Sequence, residues 1–204
     1  MRWFFRSFVV LGLAWVGFLL SPYVALYRFA TAIQAGDIGA INERVNFSAV
    51  RISLSRQIAA AYMKAHGAAK EDTPLGEMAI AVGTAAVDPL LAPFLTPEAI
   101  IGLMTTGAPS GLSDRVPEDV QRSMGQSLRP SELSVETLKR LFLATGTRGF
   151  RGFLVSLPPD QPTDERFQLI FRLSGPSRSF TWRMVGLELP ARLRDRLVQQ
   201  LAKS

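Results

Sequence analysis

The sequence predicts an α+β fold, in which an N-terminal transmembrane helix precedes helices packed on one face of a small C-terminal antiparallel sheet. Three observations lead to this prediction. An apolar run opens the chain, apolar residues recur at helical spacing as far as position 106, and apolar residues alternate with polar ones beyond position 149. Helices first and strands last are typical of the α+β class.

The N-terminal segment has the features of a membrane anchor. Arg2 and Arg6 precede a stretch without charge that runs from Ser7 to Tyr27. About twenty helical residues cover about 30 Å, which is the thickness of the hydrocarbon core of a bilayer. Because positive charges are retained in the cytoplasm, the two arginines predict a cytoplasmic N-terminus.

A cleaved signal peptide is the alternative interpretation of this segment. Cleavage requires small residues one and three positions before the cut. Cuts after Ser21 or Ala25 place Leu19 or Tyr23 at the third position, and both are too large. We therefore expect an uncleaved, single-pass anchor of the inner membrane over residues 1–27, and one domain over residues 28–204 on the periplasmic side.

Glycine, proline and polar residues mark the boundaries of the helices. Ser21-Pro22 predicts a kink or a new helix start, and Gly36-Asp37 predicts the end of one helix and the cap of the next. Asp88-Pro89 and Pro93 interrupt a second apolar stretch, which is therefore expected to form separate buried or interfacial helical pieces. The predicted helices cover residues 22–35, 38–46, 47–65, 96–105 and 135–144, with a last amphipathic helix after Pro190.

The C-terminal third predicts an antiparallel meander of three strands with aromatic side chains facing the helices. A polar insert rich in glycine, proline and serine, expected to be mobile, precedes it at about residues 107–131. The apolar positions of the three strands are Phe150, Phe153 and Val155; Phe167, Leu169, Phe171 and Leu173; and Phe180, Trp182, Met184 and either Gly186 or Leu187.

Composition excludes several kinds of chemistry. The chain has no cysteine and a single histidine, His66, which leaves no material for a disulfide scaffold, a zinc site or a serine–histidine triad. The sequence has no glycine-rich phosphate loop, and its net charge of +6 forms no dense basic stripe. We therefore predict no metal, no cofactor and no nucleic-acid partner.

These features favour a membrane-tethered binding or interaction module of the cell envelope over an enzyme. Its partner would be an envelope protein, a lipid or a small apolar or anionic ligand. Candidate ligand-binding residues are the aromatic side chains of the strands, which would either line a concavity or close the core; a basic face on the last helix is a candidate for anionic lipid. The two sets are Phe153, Phe167, Phe171 and Trp182, and Arg192, Arg194 and Arg196.

The enzyme alternative is a hydrolase or isomerase in a cone-like pocket. Asp37 or Asp88, acting with an arginine, would carry the reaction, because these are the only carboxylates in an apolar context. Carboxylates that converge in a deep pocket would favour the enzyme, and capping or surface positions would favour the binding module.

Several segments together resemble a bacterial family of membrane-anchored proteins, the domain-of-unknown-function family numbered 2939. The resemblance implies a membrane anchor and supplies no activity. This chain has Val45-Asn46-Phe47 where the family usually has Val-Asp-Phe, so a carboxylate at position 46 is not essential here. The helix–Gly-Asp–helix opening is also loosely similar to cone-shaped folds of the nuclear-transport-factor-2 type. The segments that carry the family resemblance are Ser21–Tyr27, Ala32–Asp37, Val45–Leu54, Asp88-Pro89, Thr96–Glu98 and Trp182–Pro190.

Overall fold

The computed structural model describes residues 2–67, 73–106, 145–147, 149, 151–157, 162, 165–175 and 181–201, and it confirms the α+β class. The predicted insert at 107–131, the predicted helix over 135–144, and Phe150 and Phe180 lie outside the described residues. The elements are α1 (Arg2–Gln34), α2 (Ile38–Arg44), α3 (Phe47–Ala65), α4 (Pro74–Leu91), a 3-10 turn (Ala92–Phe94), α5 (Pro97–Thr106), β1 (Thr145–Thr147), β2 (Gly152–Leu157), β3 (Phe167–Leu173), β4 (Trp182–Glu188) and α6 (Ala191–Leu201).

Helix α1 is continuous over 33 residues, so the predicted new start at Ser21-Pro22 is wrong. Pro22 has no backbone N–H, which deprives the carbonyl of Phe18 of its helical donor. The hydroxyl of Ser21 donates to that carbonyl at 2.8 Å. The serine thus replaces the hydrogen bond that the proline removes, and the helix continues.

The two halves of α1 have different surroundings. The described side chains from Arg6 to Leu20 are exposed, whereas a stripe in the second half is buried in the core. The stripe follows helical spacing (Leu26, Phe29, Ala30 and Ile33), and Tyr27 beside it is 53% exposed. The first half of α1 is therefore an exposed apolar segment, and the second half is part of the core.

The cap of α2 forms as the sequence predicts, and α3 has a cap of the same kind. Gly36 adopts a left-handed φ of 63°, and the carboxylate of Asp37 accepts the backbone N–H of Ala40 at 2.9 Å. The side chain of Asn46 accepts the N–H of Ala49 at 3.2 Å in the same way. Asparagine and aspartate cap helices about equally well, so the two caps are equivalent in kind.

Helix α4 runs through Pro89 as far as Leu91, so the predicted break at Asp88-Pro89 is wrong. The proline deprives only the carbonyl of Ala85 of a donor, and both residues are exposed within the last turns of the helix. A proline in this position costs little stability, because water can hydrogen-bond to the exposed carbonyl of Ala85.

In the part of the chain that the structure describes, α4 packs on one side. Its inner side contacts α3 so closely that a Cβ at Gly83 would lie 3.0 Å from the Cβ of Ala59. Its outer side presents large apolar side chains to the surroundings, which fits the interfacial alternative of the prediction better than full burial. By length and composition, two stretches of the described chain are long and apolar enough to cross a membrane, Arg6–Gln34 and Pro74–Phe94. The exposed residues of the second are Leu75, Met78, Val82, Leu90 and Phe94.

The sheet has four antiparallel strands in the order β1-β2-β3-β4. The three predicted strands are present, and the short strand β1 adds an edge that the sequence did not predict. A register shift at β4 pairs Ile170 with Gly186 and Phe171 with Met184, which leaves Val185 as an extra residue. Because of this bulge, both Gly186 and Leu187 are buried, which resolves the alternative left open by the sequence.

The edge strand β4 is held by the helical layer. The backbone N–H of Asn46 donates to the carbonyl of Met184 at 2.8 Å. The Gln57 side chain of α3 donates to the carbonyl of Leu187 at 2.8 Å and accepts the N–H of Leu189 at 3.0 Å. These hydrogen bonds fix the sheet beneath α2 and α3, with the core between them.

Candidate functional site

The aromatic residues predicted as a ligand site meet in the core. Phe153 stacks on Phe171 with ring centroids 4.7 Å apart, and Phe153 and Trp182 meet in an edge-to-face arrangement with ring centroids 5.0 Å apart. Phe29 of α1 completes the cluster, with its ring centroid 5.5 Å from the ring centroid of Phe171. Phe167 is equally buried and pairs with Leu157 at the other end of β3. The rings pack on one another and on α1, and a direct contact with ligand stays a prediction.

The predicted basic face of the last helix has defined neighbours. Arg192 forms an ion pair with Glu165 while staying largely exposed. Arg194 lines a small surface cavity of about 410 Å³ with Gln57 and Glu188. The side chain of Arg196 lies outside the described residues. A role for these arginines in lipid contact stays a prediction.

The two carboxylates proposed for catalysis have structural partners. Asp37 is the exposed cap of α2, as described above. Asp88 accepts a hydrogen bond from Nε of Arg51 at 2.8 Å and joins α4 to α3. They lie on different elements, and no group of three or more metal-binding side chains occurs in the part of the chain that the structure describes.

A groove that the sequence did not predict lies where α1 meets α2 and the start of β4. Its volume is about 720 Å³, within the range of ligand-binding clefts. One end is apolar and the other carries charge. The lining residues are Gly17, Ser21, Val24, Ala25 and Arg28 from α1, Glu43 and Arg44 from α2, and Thr181, Trp182 and Arg183 from the β4 end of the sheet.

A chain of hydrogen bonds fixes the wall between α1 and β4. The indole N–H of Trp182 donates to the hydroxyl of Ser21 at 2.9 Å. That hydroxyl donates in turn to the carbonyl of Phe18 at 2.8 Å. The Ser21 hydroxyl therefore replaces the helical hydrogen bond lost at Pro22 and also holds β4 against α1. These two hydrogen bonds fix the position of this wall of the groove.

The charged end of the groove has an excess of positive charge. Arg28 is exposed, and Nη1 of Arg44 donates to the carbonyl of Ala40 at 3.0 Å. Nη2 of Arg183 donates to the carbonyls of Asn42 and Val45 at 3.2 and 3.4 Å. Glu43 is the single carboxylate of the lining, so the end carries three positive charges against one negative charge.

One nitrogen in this group has no partner. Among the residues that the structure describes, Nε of Arg183 is buried and makes no hydrogen bond, which costs free energy. Guanidinium groups bind anions with charge-assisted hydrogen bonds, so the excess of arginine suits the charged end of the groove to a phosphate or carboxylate group.

Sequence reasoning missed this groove because its walls are far apart along the chain. Ser21 and Trp182 are 161 positions apart, and neither residue type marks a site by itself. One local signal was present. Arg28 is the first charged residue after the uncharged run, and this position indicated the end of the anchor. The same residue lines the charged end of the groove.

Comparison with known proteins confirms the family over the N-terminal half. Residues 11–103 match the model of a family described as "Protein of unknown function (DUF2939)", which confirms the resemblance predicted from the sequence. The matched segment covers α1 from Leu11 onward, α2 to α4 and most of α5, and therefore the α1 and α2 walls of the groove. No curated protein and no solved structure gives a match. The likeness to nuclear-transport-factor-2-type folds stays a prediction.

Proposed function

We propose that this protein is a single-pass, membrane-tethered binding module of the cell envelope. The observation that carries the proposal is the division of α1 into an exposed apolar half and a buried half. Side chains such as Phe8, which is 78% exposed, and Leu11, which is 69% exposed, present apolar surface that water disfavours. A bilayer would cover this surface.

The contacts of α1 also favour an uncleaved anchor over a signal peptide. Cleavage after Ser21 would remove the acceptor of the Trp182 indole, and cleavage after Ala25 would place a new charged terminus beside the buried Leu26. Either cut would cost stability, because a buried donor loses its partner or a charge comes to lie next to the core. The fold thus supports retention of the segment.

The carboxylates favour a binding role over catalysis. A general acid or base in an enzyme needs a pocket that substrate can enter. Asp37 caps a helix at the surface, and Asp88 is engaged with Arg51. The groove at the anchor junction combines an apolar wall with guanidinium groups, and this combination suits recognition of an amphiphilic anion.

Topology reporters test the proposal. We expect a C-terminal alkaline phosphatase fusion to be active in a bacterial host, a C-terminal green fluorescent protein fusion to be dark, and the protein to stay in the membrane after carbonate extraction. Intact mass should show the full chain, since the anchor is retained. Full-length protein in the soluble fraction, a shortened membrane-free chain, or a fluorescent fusion without phosphatase activity would each contradict it.

A further inference from the structure

The spacing of charges along α1 sets the depth of the groove in a membrane. Arg6 and Arg28 bound the uncharged stretch and are separated by 22 helical steps, or about 33 Å. This distance matches the hydrocarbon core, about 30 Å thick. If Arg6 lies at one interface, Arg28 lies at the other, and the charged end of the groove is level with the lipid headgroups. Ser21 and Trp182 then lie in the acyl-chain region of the same leaflet.

The charged end has the chemistry for a phosphodiester. Guanidinium groups bind phosphate oxygens with paired, charge-assisted hydrogen bonds. Arg28, Arg44 and Arg183 supply three of them, and Thr181 adds a hydroxyl. Glu43 opposes anion binding, but the balance at this end stays positive.

The apolar end has space for a hydrocarbon chain. Gly17, Val24 and Ala25 line it along α1. A Cβ built at Gly17 would meet no atom within 4 Å, so the surface beside this glycine is open. The groove therefore follows α1 from the hydrocarbon region to the headgroup level, with its polarity changing in the same direction.

We propose that the groove binds an anionic phospholipid of the surrounding bilayer. Its phosphate would contact Arg28, Arg44 and Arg183, and one acyl chain would lie along Gly17 and Val24. This proposal rests on the membrane anchor of the proposed function, because only an anchored chain holds the groove open to the leaflet. A soluble anion would use the charged end alone and would leave the apolar end empty.

The test is lipid binding by the full-length protein in a mild non-ionic detergent. Dioctanoyl phosphatidylglycerol, dioctanoyl phosphatidylcholine and inorganic phosphate are titrated separately, with native mass spectrometry and thermal stability as readouts. We expect phosphatidylglycerol to bind best. The pair Arg28→Gln/Arg44→Gln should weaken its binding about tenfold or more, since each arginine near a membrane surface contributes to attraction of anionic lipid.

Two matched controls separate the groove from general charge and hydrophobicity. Arg56→Gln/Arg172→Gln removes the same charge from exposed positions outside the groove and should leave binding unchanged. Gly17→Phe fills the apolar end without changing charge and should weaken binding, whereas Gly12→Phe, which lies on α1 outside the groove, should not.

Three results would overturn the lipid site: equal weakening in the control pairs, unchanged binding after both groove substitutions, or inorganic phosphate binding as tightly as the lipid. Carbonate extraction of each variant is run in parallel. A protein that stays in the membrane but shows no groove-dependent binding disproves the lipid site alone. A protein that is absent from the membrane disproves the proposed function.

Discussion

Trp182→Ala is expected to lower the free energy of unfolding by about 3–5 kcal/mol, the range for truncating a large buried aromatic side chain. The indole is 8% exposed, contacts Phe153 edge-on, and donates to Ser21. The substitution therefore leaves a cavity beside the aromatic cluster and breaks the hydrogen-bonded wall of the groove. Chemical denaturation of the full-length protein in mild detergent, followed by near-ultraviolet circular dichroism, measures the loss.

Two further variants divide this effect into packing and hydrogen bonding. Ser21→Ala keeps the ring and removes its acceptor, and we expect it to cost about 1–3 kcal/mol because a buried indole N–H and the Phe18 carbonyl both lose a partner. Trp182→Phe keeps much of the apolar volume and should lie between the two. A loss below about 1 kcal/mol for Trp182→Ala would show that the ring does not belong to the core.

Phe29→Ala should also cost about 3–5 kcal/mol, although it lies on the same helix as the anchor. The side chain is 1% exposed, and its ring meets Phe171 at 5.5 Å in an edge-to-face arrangement. This arrangement adds to the stabilisation from burial alone. The same denaturation measurement applies, because the C-terminal half of α1 is part of the cooperative core.

Phe18→Ala is the matched control, since Phe18 lies on the same helix and is 37% exposed. In detergent it should change the free energy of unfolding by less than about 0.5–1 kcal/mol, as for most surface positions. Equal effects of the two substitutions would contradict the division of α1 into an exposed half and a core half.

Local signals predicted most of the helices. Gly36, Asp37 and Asn46 act within one turn of their own positions, so their roles as helix stop and caps can be inferred without knowing the rest of the chain. The alternation of β3 is local in the same sense, because side-chain direction in a strand depends only on the parity of position. These features needed no information on tertiary contacts.

The predictions from the sequence were wrong where the structural context of a residue offsets its local preference. Pro22 would end a helix by itself, but the Ser21 hydroxyl supplies the missing donor, and Pro89 lies in a late, exposed turn of α4. The bulge at Val185 shifts the inward positions of β4, which an alternating pattern cannot anticipate. The groove required the approach of α1 to β4, which follows from tertiary packing, and Arg28 alone gave a local signal of its charged end.

In the function proposed above, one helix both crosses the membrane and joins the core, and it holds the Trp182 end of β4 at the outer part of the bilayer. Fluorescence quenching by brominated phospholipids tests it most directly. The chain has three tryptophans, so Trp3→Phe/Trp15→Phe leaves Trp182 as the only emitter. We predict strong quenching of the reconstituted protein by lipids brominated on the acyl chain near the headgroup, with weaker quenching by lipids brominated near the chain end. Emission unchanged by both lipids would contradict the claim, because the folded domain would then lie away from the bilayer.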